Sequence, residues 1–148
     1  MTTDLDTRIK LAVYRGAAER GALPRAEEVA SEVSVTVQDV RDSYARLAQR
    51  RLLVLEPDGF TIRMAPPFSG VPTDHVVRSG GIAYFANCAW DALAIPAALH
   101  RPGNVDSRCG QSGAPLRLEV GLNGPGPSPW LFHVSVPAAQ WWRDIVYT

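Results

Sequence analysis

The sequence is poor in cysteine, balanced in charge and free of long apolar runs. Two cysteines among 148 residues, Cys88 and Cys109, are too few for a disulfide-built scaffold, and an even count in a reducing compartment implies no bridge. Lys plus Arg equals Asp plus Glu at 15 each, so no summed field draws the chain toward nucleic acid, anionic lipid or an acidic substrate. No stretch approaches the roughly 20 uninterrupted apolar residues that a bilayer span requires. The opening run Met1-Thr2-Thr3-Asp4-Leu5-Asp6 places acids where an export signal carries basic and apolar regions. These absences predict a cytoplasmic protein with no membrane partner.

Against that background the chain carries clear periodicity. Leu5, Ile9, Ala12, Val13 and Ala17 recur at helical spacing up to about Arg20, with Gly21 as a stop. Ala26-Glu27-Glu28-Val29-Ala30 after Pro24 predicts a second helix, and Thr36 is placed to cap a third over Val37 to Gln49. Leu52 to Leu55, the turn Glu56-Pro57-Asp58-Gly59, and Phe60 to Arg63 spell strand, turn and strand. Three helices followed by a hairpin predict a winged-helix-like module over residues 1–66. A DNA-binding version would set Gln38, Arg41 and Arg46 on a recognition helix. Residues 1–66, however, hold ten basic and ten acidic side chains, without the basic excess that phosphate binding demands, so DNA is not the expected partner.

Three prolines and two glycines across residues 65–80 predict a connecting segment, placed at 67–80. From Phe85 to about Leu99 the chain is mostly Ala, Leu, Ile and Trp, the pattern of a helix buried on several sides, with a kink expected at Pro96. Val105, Leu116 to Val120 and Trp130 to Val136 read as strands, and the glycine- and proline-rich stretch 121–129 as a mobile loop. Residues 81–148 therefore read as a mixed helix and sheet core, and the whole chain as α+β.

The chemistry gathers in Asn87-Cys88-Ala89-Trp90-Asp91. Asn87 is an expected N-cap, which would put Cys88 at the first helical position, where the helix dipole and free amides favour a thiolate. Asp91 falls on the same face three residues later, in apolar surroundings that would raise its pKa and keep a proton on it. A thiolate beside an acid suits either attack on carbon, or capture of a soft metal followed by protonation of what leaves it. The histidines, His75, His100 and His133, fall in a loop, at a helix end and inside a strand, without diagnostic spacing to Cys88. A buried, inert cysteine is the alternative.

The run Tyr84-Phe85-Ala86-Asn87-Cys88-Ala89-Trp90-Asp91-Ala92-Leu93-Ala94-Ile95-Pro96-Ala97 resembles the core motif of the alkylmercury (organomercurial) lyases: an aromatic residue, Cys-Ala-x-Asp-x-Leu, then Pro. Val105-Asp106-Ser107-Arg108-Cys109 and Ser112-Gly113-Ala114-Pro115-Leu116 resemble that family's next segment, at matching separation. The resemblance implies a winged-helix-like module packed on a catalytic core. It implies that Cys88 attacks mercury, Asp91 protonates the departing carbon and Cys109 is structural. The implied reaction is protonolysis of a carbon–mercury bond to hydrocarbon and Hg(II), with free thiols as co-reactants, no redox cofactor, an organomercurial as small-molecule partner and a mercuric reductase as a further one. The family's second catalytic cysteine lies beyond the segment matching Trp130 to Val136, and no cysteine follows there in Trp141 to Thr148. A sequence that continues past Thr148, or a loss of turnover, would explain this. Cys88, Asp91 and Cys109 are then the candidate mercury ligands. A non-catalytic soft-metal binder and a winged-helix metal-sensing regulator stand as alternatives.

Overall fold

A computed structural model describes residues 4–147, so Met1 to Thr3 of the acidic opening, and Thr148, lie outside the described residues. Helix α1 (Asp4–Arg20), α2 (Ala26–Val33) and α3 (Val37–Gln49) occupy the predicted spans. Thr36 accepts the Asp39 amide while Asp39 returns a bond to the Thr36 amide, a reciprocal cap at the predicted residue. Ile9, Val13, Val29, Val40, Leu47 and Leu53 interlock between the helices. Inside this core Asp6, 1% exposed, accepts from Ser43 Oγ at 2.7 Å and from Arg46 Nη2 at 2.7 Å. A carboxylate so deeply buried persists because both donors replace its water.

The hairpin begins later than its sequence pattern predicts. Asp58 Oδ1 accepts the amides of Phe60 at 2.9 Å and Thr61 at 2.8 Å, which holds those two residues in the turn. Strands β1 (Val54–Leu55) and β2 (Ile62–Ala65) therefore pair only beyond them. A third strand, β3 (Phe68–Ser69), follows Pro66-Pro67 and completes an antiparallel sheet in the order β1-β2-β3. The stretch expected to be a plain connection thus carries β3 and the start of the next sheet.

That second sheet is antiparallel throughout, in the order β5-β4-β6-β7-β8, formed by β4 (Val76–Ser79), β5 (Ile82–Phe85), β6 (Gly103–Arg108), β7 (Pro115–Gly121) and β8 (Gly124–Pro125). Helix α4 (Ala89–Leu99) lies on one face. Its Ala92 and Ile95 join Val77, Tyr84, Val105 and Val120 in a second core, and fully burying one such aliphatic side chain contributes about 2 kcal/mol. Gly103 makes the approach possible, since a Cβ there would stand 3.2 Å from both Pro96 Cγ and Val77 Cγ1. The other face of the sheet is polar, with Arg78 and Arg117 both paired to Asp106.

The two cores are stitched together by α1. Tyr84 donates its hydroxyl to the Ala18 carbonyl at 2.7 Å, and Tyr14, packed against both cores, donates to the Pro66 carbonyl at 2.9 Å. Gly21 adopts φ +73 against the Ala83 carbonyl, where any side chain would collide.

One expectation fails near the C-terminus. Trp130 to Val136 is not a strand: its residues are mostly exposed and irregular. Alternating apolar residues make a strand only against a partner, and β8 followed by the Gly126 amide, bonded to the Glu119 carbonyl, already occupies the β7 edge. Trp141 and Trp142 lie in a 3-10 helix, Ala138–Arg143, with no buried residue. Among the described residues no helix is long and apolar enough to cross a membrane.

Asp6 gives the fold its sharpest test. Replacing Asp6 by Ala strands Ser43 and half-exposed Arg46, and is expected to cost about 2–3 kcal/mol in urea unfolding; a loss under about 0.5 kcal/mol would contradict the role given to it.

Candidate active site

The candidate site forms where β5 gives way to α4. The Ala86 amide bonds to the His75 carbonyl at 2.9 Å and Ala86 bridges to Phe68, so the chain leaves the sheet at a fixed point. Asn87 was the expected N-cap; the residue in that position is Cys88, with extended backbone at φ −154 and ψ 179. The helix starts one residue late, and the Asn87 side chain is engaged elsewhere. Its Nδ2 donates to Asp91 Oδ2 at 2.9 Å and to the Phe68 carbonyl at 3.2 Å. Its Oδ1 is buried with no hydrogen-bond donor.

This geometry reverses part of the electrostatic expectation. Burial pushes the Cys88 thiol up; the backbone amides of Asp91 and Trp90 offset this only in part, and the Asp91 carboxylate adds to the rise. These two first-turn amides polarise the sulfur without compensating for its lost water. Cys88 is accordingly a protonated thiol at neutral pH, not the preformed thiolate its position suggested.

Asp91 behaves as expected. Burial raises its carboxyl above the ordinary range, while the Asn87 hydrogen bond pulls the other way. The group is half-buried, held in one orientation, and inclined to keep its proton. Its field reaches α1: burial raises the Tyr14 hydroxyl, and the Asp91 carboxylate adds to that shift. The Tyr14 ring meets the Phe68 ring edge-on at 6.3 Å, which couples the first helical module to the acid through Phe68 and Asn87.

Cys109 stands elsewhere, on the turn between β6 and β7, where its amide bonds to the Ala114 carbonyl and its carbonyl accepts from the Gly113 amide. Hydrogen bonds from Ser112 hold its thiol below the ordinary value. Among the described residues no three of His, Cys, Asp and Glu gather closely enough to hold a metal ion, so Cys109 does not join Cys88 and Asp91 in one ligand cluster. His75 Nδ1 shares a hydrogen bond with Ser107 Oγ at 2.7 Å, and burial lowers its pKa. His100 is the left-handed C-cap of α4, and His133 is exposed outside any strand.

Asn87 and Phe68 are the participants that sequence reasoning missed. The signal for Asn87 was present, a polar side chain beside Cys88, but it pointed to a cap. Phe68 acts through its carbonyl, which no side-chain pattern reveals.

The thiol environments order the reactivity of the two cysteines. Limiting iodoacetamide at pH 7, read by peptide mass spectrometry, is expected to label Cys109 first; preferential labelling of Cys88 would refute the burial argument.

Comparison with known proteins places this geometry. The crystal structure of the mercury-bound form of MerB2 superposes on 85% of this chain and 67% of its own length, with a TM-score of 0.61 at 22% identity, so the two share a mixed fold of helices and antiparallel sheets. Alkylmercury lyases of Bacillus cereus and Clostridium butyricum are each 40% identical over 50 residues, and that of Streptomyces lividans is 43% identical over 49. These matches span about a third of this chain but only 23% of each relative. The alkylmercury lyase family model matches residues 68–148, more than half of the sequence, and the chain therefore belongs to the alkylmercury lyase family.

Proposed function

We propose that this chain acts on organomercurials, cleaving the carbon–mercury bond by protonolysis. The single observation that carries this reading is the Asp91 carboxyl, half-buried, raised in pKa and oriented by Asn87, in the first turn of the helix that Cys88 caps. A thiol is the soft ligand that mercury prefers, and a retained carboxyl proton is what a departing carbanion needs.

The steps balance as follows. The Cys88 thiol exchanges onto R–Hg–X, forming a sulfur–mercury bond and releasing HX. Sulfur donation makes the bound carbon more basic. Asp91 then delivers its proton to that carbon; the electron pair of the carbon–mercury bond becomes the new C–H bond, and R–H leaves. The remaining Cys88–S–Hg⁺ is neutralised by the new Asp91 carboxylate until two solution thiols take Hg(II) as a dithiolate, their two protons returning to Cys88 and Asp91. A raised Asp91 pKa serves the protonation, and its ionised form serves the product.

The N-terminal module supports this reading as a scaffold. In its winged-helix-like form the candidate recognition residues are engaged internally: Gln38 bonds to Asp42, Arg41 lies 4.1 Å over the Phe60 ring, and Arg46 pairs with Asp6. Tyr14 links the same module to the acid.

One observation favours a second reading. With no clustered third ligand among the described residues, the site suits stoichiometric mercury capture at Cys88 without turnover. Gas chromatography of headspace after incubation with phenylmercury and excess thiol separates the two. Protonolysis predicts benzene, reduced at least about 100-fold in Asp91→Asn and absent in Cys88→Ser. Stoichiometric capture without benzene would refute lyase activity.

A further inference from the structure

Tyr14 lies in the second half of α1, half-buried, with its ring packed against both cores. Its hydroxyl donates to the Pro66 carbonyl at 2.9 Å, 52 residues further along the chain, and its ring meets that of Phe68 edge-on. Helix α1 therefore grips the Pro66-Pro67-Phe68 segment at two points. That segment has little else to fix its backbone. Strand β3 is two residues long and pairs with β2 only at Met64 opposite Ser69 and Ala65 opposite Phe68, and one bridge ties Phe68 to Ala86. The Phe68 ring also meets that of Tyr84, with centroids 5.7 Å apart, but the Tyr84 hydroxyl bonds to the Ala18 carbonyl instead of to this segment.

The position of the Phe68 carbonyl reaches the acid in one further step. It accepts from Asn87 Nδ2 at 3.2 Å, and the same nitrogen donates to Asp91 Oδ2 at 2.9 Å. A primary amide has two hydrogens, and these two acceptors use both. The last torsion of an asparagine side chain is soft, so a displaced Phe68 carbonyl would let the amide turn and would take the direction from its bond to Asp91. We infer that Tyr14 is a positioning residue of the site, which keeps the Asp91 carboxyl in its orientation through Pro66, Phe68 and Asn87. The inference rests on the proton transfer proposed for Asp91, and it gives the helical module a part in that step beyond supporting the sheet. Burial first, and the Asp91 carboxylate second, raise the Tyr14 hydroxyl, so it remains a protonated donor. Tyr14→Phe then removes one hydrogen bond, keeps the ring against both cores and removes no charge.

The test uses the full chain carrying Cys109→Ser, so that Cys88 is the one thiol, with circular dichroism to confirm that each added variant is folded. The first readout needs no activity: solvent exchange of the Asn87 side-chain amide hydrogens, assigned by their loss in Asn87→Ala and followed by NMR without mercurial. Loss of one neutral hydrogen bond predicts exchange about two- to tenfold faster in Tyr14→Phe. The second readout sets equilibrium capture of phenylmercury at Cys88 beside single-turnover benzene release. Tyr14→Phe is expected to leave capture within about twofold of the parent and to slow release about two- to tenfold. Added to Asn87→Ala it should slow release no further, because both changes break one chain of contacts. Amide exchange at the parent rate, capture and release falling together, or slowing that adds fully to that of Asn87→Ala overturns the inference. Faster exchange in Tyr14→Phe with no benzene from the parent contradicts the lyase chemistry and leaves Tyr14 as the residue that fixes the Asn87 amide.

Discussion

One amide nitrogen, Asn87 Nδ2, donates to the Phe68 carbonyl and to the Asp91 carboxylate, and the arrangement of the site depends on this shared donor. Its partner atom Oδ1 accepts no hydrogen bond, and Asn87 does not cap α4. Cys88 therefore becomes the cap and enters in an extended conformation. The same bond orients the acid one turn away. Through Phe68 it ties the acid to Tyr14 of the first helix, so the helical module and the sheet jointly set the position of a single carboxyl.

Burial then divides the labour between the two reactive groups. Lost water raises both the thiol and the carboxyl, but the consequences differ. For the acid, the rise carries proton retention above the ordinary carboxylate range. For the thiol, it favours the neutral form over the thiolate. Cys109, exposed to hydrogen bonds on a turn, has the opposite character and lies outside the cluster.

Much of this was legible in the sequence where local chemistry decides. The three helices, the Thr36 cap and the strands around Val105 and Leu118 follow from periodicity and capping preferences. That Cys88 and Asp91 both fall at the start of α4 follows from their separation of three residues. What could not be read required tertiary contacts. Asp58 lengthens the hairpin turn by capturing two amides, β3 is too short to leave a pattern, and Asn87 trades a cap for two acceptors. The apolar alternation of Trp130 to Val136 describes a strand that the sheet does not take up. The helix dipole suggested a thiolate at Cys88, yet desolvation, which only the packed structure reveals, outweighs it.

The central claim is that Asp91 is a proton donor kept protonated by burial beside a mercury-bearing sulfur. Its most direct measurement is the single-turnover rate of benzene release from phenylmercury preloaded on Cys88, followed across pH. Because the folded pKa of Asp91 is raised, the rate should hold level at low pH and fall through a midpoint above the ordinary carboxylate range, with Asp91→Asn slow at every pH. A pH-independent rate, or one that rises as Asp91 ionises, would contradict the account.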